Sequence, residues 1–122
     1  MHIGTDIIQI DRIKKINNKY NLHFKEKFLC SEEIKLIKKV ETLAGFWAAK
    51  EAISKALGCG IGSELAFHDI RLTKNDKGTP SFVLSDKAQN IHNVSASSLS
   101  ISHDGGFAIA VVVIVKIDST IN

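Results

Sequence analysis

Three features of the sequence predict an α+β fold, a single domain in which N-terminal helices pack on an antiparallel sheet. Residues 43–57 carry a long apolar stripe at helical spacing, and Phe107–Val115 is an unbroken apolar run rich in β-branched residues. Helical patterns fill the first half of the chain, and alternating segments separated by turns fill the second.

Taken in order, residues 1–7 read as a short strand, with Ile3, Ile7 and Ile8 around Gly4, Thr5 and Asp6. Ile10, Ile13 and Ile16 step by three, so a helix starts near Asp11 and Asn17-Asn18 end it. A basic, weakly patterned stretch runs to Cys30. Ser31 then caps a helix to about Val40, with Glu32 and Glu33 in its first turn. Thr42 caps the strongest element, where Leu43, Phe46, Ala49, Ile53, Ala56 and Leu57 line one side and Gly58 supplies a left-handed stop. Leu65–Leu72 and Pro80–Leu84 read as strands around an Asp76-Lys77-Gly78 turn, and Ser85 caps a short helix to about Asn90. Leu99 and Ile101 alternate with serines, and His103-Asp104-Gly105-Gly106 reverses the chain into the final strand, which reads as buried on both faces.

The 122 residues suit one domain spanning 1–122, and a single proline with eight glycines leaves no low-complexity segment. The longest apolar run is about half the roughly 20 residues that a spanning helix needs. The N-terminus lacks the build of a signal peptide, so a cytoplasmic protein is expected. Cys30 and Cys59 fall in different segments and are expected to be reduced. Neither shows ligand spacing with His2, His23, His68, His92 or His103, so no zinc site is expected.

Charge is unevenly placed. Between Arg12 and Lys39 nine basic residues face three acidic ones, so this segment carries +6 while the rest of the chain carries −3. That lobe would steer an acidic partner. Nucleic acid is the weaker choice, because arginines are few and Tyr20, Phe24 and Phe28 are scattered rather than spaced along a strand.

Two carboxylates carry chemical interest. Asp6 sits inside an apolar strand, where an unpaired acid is costly to bury. It is either a strand-end acid facing water or a lysine, or a ligand for a hard cation, or a base. Glu51 shares a helix face with Trp47 and Lys55 at i, i+4 spacing, beside the small Ala48, Ala49 and Ala52. An ordinary Glu51–Lys55 pair is the plain reading. The sharper one combines Asp6 and Glu51 as ligands for Mg²⁺, with Mn²⁺ as the alternative, because no histidine or cysteine accompanies them. Lys55 and a glycine-dense exit at Gly58, Gly60 and Gly62, offering free amides, would then suit a polyphosphate. No GxxxxGK[ST] motif is present. Ser102 and His103 point to opposite faces of a strand and make a poor nucleophile–base pair.

These motifs resemble the holo-[acyl-carrier-protein] synthases, the small bacterial 4'-phosphopantetheinyl transferases. The resemblance rests on Gly4-Thr5-Asp6-Ile7-Ile8 with Arg12-Ile13, and on Phe46-Trp47-Ala48-Ala49-Lys50-Glu51-Ala52 through Lys55-Ala56-Leu57-Gly58. It continues through Gly60-Ile61-Gly62, Phe67-His68-Asp69-Ile70, Gly78-Thr79-Pro80 and Leu99-Ser100-Ile101-Ser102-His103. It implies transfer of 4'-phosphopantetheine from coenzyme A to a serine of an acidic apo-acyl carrier protein, releasing adenosine 3',5'-bisphosphate. By position, Asp6 and Glu51 correspond to Mg²⁺ ligands, and Glu51 is the first choice for the catalytic base. Lys55, with the Gly58–Gly60 exit, corresponds to a coenzyme A phosphate contact. Ser102 and His103 correspond to part of the nucleotide site, and Arg12 to the carrier-docking contact. The likeness also implies a homotrimer with active sites shared between subunits. Phe46 stands where an arginine is usual, and Cys59 where threonine is frequent. The competing reading is a non-catalytic module that binds coenzyme A or an acidic protein.

Overall fold

The computed structural model describes residues 1–117. Strand β1 (His2–Gln9) leads directly into helix α1 (Ile10–Tyr20), followed by α2 (Leu22–Phe28), α3 (Ser31–Lys35) and the long α4 (Val40–Ala56). A 3-10 turn at Phe67–Asp69 opens a hairpin of β2 (Ile70–Lys74) and β3 (Pro80–Leu84). Helix α5 (Asp86–His92), β4 (Val94–Asp104) and β5 (Phe107–Lys116) complete the order. The larger sheet is antiparallel in the order β1-β5-β4, and β2-β3 form a separate pair. The predicted α+β class is therefore correct.

α4 lies across the larger sheet. One face of that sheet, formed by Gly4, Ile8, Leu99, Ala108, Ala110, Val112 and Ile114, is buried against it. α4 contributes Leu43, Phe46, Ala49, Ala52 and Ile53 to the same core. Removing a side chain the size of Phe46 or Ile53 from water stabilises the fold by about 1.5–3 kcal/mol each. The opposite face tells a different story. Ile3 is 64% exposed and Ile7 60%, with Ile109 and Val111 each 39%. The final strand thus alternates between buried and exposed residues, and the expectation that it is buried on both faces fails within one chain.

Several boundaries differ for physical reasons. β1 runs two residues beyond its expected end, because Ile8 and Gln9 keep pairing with Ala108 and Phe107. α1 continues past Asn17-Asn18 and stops at Asn21, whose φ of 51° breaks the helix. The stretch before Cys30 is helical, since Phe24 and Phe28, one turn apart, both find the core. Ser31 is inside α3 rather than capping it; the N–H of Cys30 donates to Glu33 Oε1 at 2.8 Å instead. That helix ends at Lys35, and α4 begins at Val40, so Thr42 lies in its first turn rather than at its cap. Of the Leu65–Leu72 segment only its last three residues are strand, because Asp69 folds back to accept a hydrogen bond from the N–H of Ala66, and β2 (Ile70–Lys74) then runs two residues past the expected end. Ser85 does cap α5, accepting from the N–H of Ala88 at 3.2 Å, and that helix extends to His92.

One core feature is ionic. Lys50 on α4 is fully buried, and its ammonium donates to Phe28 O (2.6 Å), Phe67 O (3.0 Å) and Glu33 Oε1 (3.1 Å). Glu33 in turn accepts from the N–H of Leu72 at 2.8 Å. All three ammonium protons and both carboxylate oxygens are used, which is the condition under which a buried pair is tolerated. The network ties α2, α3, the 3-10 turn and β2 to one point on α4.

Candidate functional site

The site is built where β1 crosses the C-terminal half of α4. Gly4 makes the crossing possible: a Cβ there would collide with the backbone oxygen of Ala52 and stand 2.8 Å from the nitrogen of Ala56. Two residues on, Asp6 shares the face of Gly4 and Ile8 that looks toward α4. Its Oδ1 accepts from Lys55 Nζ at 2.9 Å, and Lys55 also donates to Thr5 O at 3.1 Å.

Glu51 lies one helical turn before Lys55 and is half-buried. Burial raises its pKa first, the Asp6 carboxylate raises it further, and Lys55 works in the opposite direction. Two acids from separate elements therefore converge, with the Lys55 ammonium held on Asp6. Glu51 forms no ion pair among the described residues, so the pair of carboxylates is under-neutralised. An all-oxygen donor set of this kind fits a hard divalent cation such as Mg²⁺.

The remaining expected residues are placed differently. Trp47 turns away from the acids into an aromatic cluster, its ring centre 5.1 Å from both Phe28 and Phe67 and 6.0 Å from Phe24. Of the aromatics that look scattered along the chain, Phe24 and Phe28 are thus brought together as packing, while Tyr20 stays at the surface. Gly58 is left-handed as expected, with φ of 85°, and Gly60 follows at 67°. Their amides are not free: Gly58 N–H donates to Lys55 O, Cys59 and Gly60 N–H both donate to Ser54 O, and Gly62 N–H donates to Leu65 O. The glycine-rich exit is a self-bonded loop, so a phosphate would meet its surface rather than a cradle of open donors.

Ser102 and His103 make no hydrogen bond or ion pair with Asp6, Glu51 or Lys55 among the described residues. His103 pairs with Ala108, two strands away from β1, and lines a cavity of about 280 Å³ with Lys39, Glu41, Thr42, Phe46 and Lys74. That cavity adjoins the N-terminal end of α4, whereas Lys55 is at its C-terminal end, about 21 Å along the axis from Glu41 at 1.5 Å per residue. Ser102 pairs with Ile109 on the exposed face of the sheet. Phe46 is buried under the Lys74 ammonium, which stands 5.6 Å from its ring centre. Lys39 and Lys74 were not legible as site residues, because neither belongs to a motif and only the β2-β3 hairpin carries Lys74 to α4. Arg12 is exposed on α1, at the surface of the basic lobe.

Comparison with known proteins decides the family. The profile of the 4'-phosphopantetheinyl transferase superfamily matches residues 2–112. This chain belongs to that family. It is an enzyme of the phosphopantetheinyl transferase class, and its relatives are named accordingly. It is 60% identical over 114 residues to the holo-[acyl-carrier-protein] synthase of a Sulfurovum species, covering 93% of this chain and 96% of that one. The transferase fold is likewise shared with solved structures. The Helicobacter pylori holo-[acyl-carrier-protein] synthase in complex with coenzyme A superposes with a TM-score of 0.89 at 48% identity, over 93% of this chain and 99% of that one. The Bacillus anthracis enzyme, in complex with coenzyme A (3',5'-ADP), gives 0.80 at 38% identity, over 95% and 96%. Among the described residues no helix is long and apolar enough to cross a membrane.

Proposed function

We propose that this transferase moves the 4'-phosphopantetheine group of coenzyme A onto a serine of apo-acyl carrier protein and releases adenosine 3',5'-bisphosphate. The observation that carries the reading is the meeting of Asp6, Glu51 and Lys55 at the β1–α4 crossing. The serine oxygen attacks the phosphorus next to the pantetheine arm, and the phosphoanhydride bond to the departing bisphosphate breaks. Asp6 and Glu51 are the residues that would hold Mg²⁺ or Mn²⁺, which when bound neutralises pyrophosphate charge as that bond stretches. Glu51 is the first choice for the acceptor of the serine proton. Lys55 is half-exposed and can turn its ammonium from Asp6 toward a phosphate oxygen.

The nucleotide end of coenzyme A is assigned to the cavity of His103, Lys39 and Lys74, with Ser102 next to His103 on the opposite face of β4. That cavity and Lys55 lie toward opposite ends of α4, and they are assigned to one substrate shared between two chains. The exposed sheet face of Ile3, Ile7, Ile109 and Val111 offers the apolar surface for such an assembly, and a homotrimer with active sites at its subunit interfaces is the arrangement proposed. Arg12 and the +6 lobe would dock the acidic carrier, an encounter that weakens with salt. The setting is the cytoplasm, in keeping with free thiols at Cys30 and Cys59, and the product carrier would serve fatty acid biosynthesis.

The test is incubation with coenzyme A, Mg²⁺ and apo-carrier protein, read by mass spectrometry of the carrier. A gain of one phosphopantetheine group, abolished by EDTA, supports the reading. An unmodified carrier with coenzyme A still bound would leave a binding module instead.

A further inference from the structure

A second cluster of ligating groups lies beyond the C-terminal end of α4. Cys59 follows that helix, Glu64 is five residues on, and His92 is the last residue of α5. The Cys59 sulfur, a Glu64 oxygen and a His92 ring nitrogen all lie within 4.8 Å of one another. His92 is 96% out of solvent, and its Nε2 is buried with no hydrogen-bond partner. Glu64 Oε1 stands 3.5 Å from that nitrogen. A buried ring nitrogen without a partner is costly, and native interiors seldom leave one. Here it faces the other two groups.

The backbone fixes two sides of the cluster. The N–H groups of Cys59 and Gly60 both donate to Ser54 O, which holds the loop against α4. Asn93, in the left-handed conformation at φ 52°, ends α5 directly after His92 and accepts from the N–H of Ile117, which holds the helix end to β5. Glu64 is exposed and can adjust.

We propose that Cys59, Glu64 and His92 form a binding site for a borderline-soft transition-metal ion, of which Zn²⁺ is the chemical type, separate from the Asp6–Glu51 pair. Sulfur, imidazole nitrogen and one carboxylate make a donor set that suits Zn²⁺ and disfavours Mg²⁺. Bonds of about 2.0–2.3 Å to a tetrahedral ion place its ligand atoms roughly 3.3–3.8 Å apart, so the cluster needs to close by about 1 Å. Glu64 has the freedom to supply that movement, and water would complete the fourth position.

Protonation acts on loading in two opposite ways. Burial, then the nearby Lys116, hold the His92 pKa below its usual value, so the ring is neutral and its lone pair available. Burial and Glu64 push the Cys59 thiol up, so it carries its proton until a metal takes the sulfur. Binding therefore breaks the S–H bond, forms a metal–sulfur bond and releases one proton to solvent. With a thiolate, a carboxylate and the Lys116 ammonium around a divalent ion, the local charge sums to +1, within the range a half-open site tolerates. Sequence spacing conceals this site, because a hairpin separates Cys59 and Glu64 from His92.

The experiment loads chelator-treated protein with Co²⁺ or Zn²⁺. Expected are one ion per chain, a thiolate-to-cobalt charge-transfer band in the near ultraviolet, and release of one proton per Zn²⁺. Zn²⁺ should slow alkylation of Cys59 and leave Cys30 as an internal control. Cys59→Ser and His92→Gln should abolish the band, and Glu64→Gln, on an exposed side chain that does not threaten folding, should weaken binding at least roughly tenfold. Alkylation of Cys59 that is unchanged by Zn²⁺ in folded protein would overturn the proposal. So would metal uptake that survives Cys59→Ser and Glu64→Gln but is lost in Asp6→Asn. Carrier modification is not a readout here, so failure of this site and failure of the proposed reaction remain distinguishable.

Discussion

Gly4 and Ala52 touch backbone to backbone, and that contact is what sets Asp6 opposite Glu51 and Lys55. A Cβ at position 4 would overlap the Ala52 carbonyl oxygen and press on the Ala56 nitrogen at 2.8 Å. Neither obstacle is a flexible side-chain end, so β1 must lift. Gly4→Ala is expected to destabilise the fold by at least about 1–3 kcal/mol, the usual cost of overpacking. It should also lower carrier modification in whatever fraction remains folded, because Asp6 moves away from α4. Urea denaturation and the mass-shift assay on the same preparation check both effects. A neutral outcome in both would show that the close crossing does not position the acids.

Lys50 and Glu33 exchange charge without access to water, at 3.0 Å. Lys50→Met keeps the volume but leaves Glu33 unpaired and the carbonyls of Phe28 and Phe67 without their donor. A loss of about 3–5 kcal/mol is expected, large against the total stability of a domain of this size. Adding Glu33→Gln should recover part of it, since the amide oxygen can still accept from the N–H of Cys30 or Leu72. The midpoint of urea unfolding for the single and double variants measures the difference.

How far the sequence could be read follows from these contacts. The α4 stripe, the Gly58 stop and the Ser85 cap are local signals, and each appears where spacing and capping chemistry place it. Asp6, Glu51 and Lys55 were also legible, because a carboxylate in an apolar strand and an acid on an alanine-rich helix are locally unfavourable. What escaped depends on distant segments. Lys50 looks like one more surface lysine until Glu33, 17 residues earlier, and the Phe67 carbonyl, 17 residues later, enclose it. Phe24 and Phe28 look like strays in a basic stretch until Trp47 and Phe67 gather them. The final strand looks doubly buried because its exposed face is as apolar as its covered one, and hydropathy cannot distinguish core from an interface between chains.

The site itself predicts how metal and protein stability are coupled. In Lys55→Met the Asp6 and Glu51 carboxylates face each other without the ammonium that now lies 2.9 Å from Asp6. The variant should be less heat-stable than the parent without divalent ions, and Mg²⁺ should raise its melting temperature by more than it raises the parent's. Glu51→Gln should fold normally and lower kcat for carrier modification by roughly 10²-fold or more, since charge stabilisation by a metal is worth several kcal/mol. A Glu51→Gln enzyme of unchanged kcat would favour the non-catalytic reading.

Asp69 gives a pH dependence whose sign is fixed by its hydrogen bonds. Its carboxylate accepts from the N–H of Ala66 at 2.9 Å and from the hydroxyl of Ser85 at 2.7 Å, and these hold its pKa below the usual aspartate value. A group whose folded pKa is depressed adds stability above its unfolded pKa, about 3.9, and loses it as pH falls through the folded value. The stability difference between parent and Asp69→Asn should therefore be constant from neutral pH down to about pH 5 and shrink below pH 4. Urea midpoints across that range test it, and a difference that grows toward acid would refute the assignment.

The separation of Lys55 from His103 along α4 makes the shared-site arrangement testable by mixing chains. Lys55 lies at the C-terminal end of α4 and His103 lines a cavity beside its N-terminal half, so in the proposed assembly each is supplied by a different chain. Lys55→Met and His103→Ala should each be nearly inactive alone. Unfolded together in equal amounts and refolded, they should form mixed trimers in which about one site in four combines an intact Lys55 from one chain with an intact His103 from the next. Activity should then return to about a quarter of the parent level, and it should not return when the same proteins are mixed without exchange of subunits. Placing a charge on the apolar sheet face, as in Val111→Lys, should split the assembly and abolish the recovery, with sedimentation velocity recording the loss of the trimer. Each chain's fold should survive that change, because Val111 faces away from the core while its neighbours Ala110 and Val112 carry the packing against α4. Full activity from isolated single chains would instead place the whole site within one subunit.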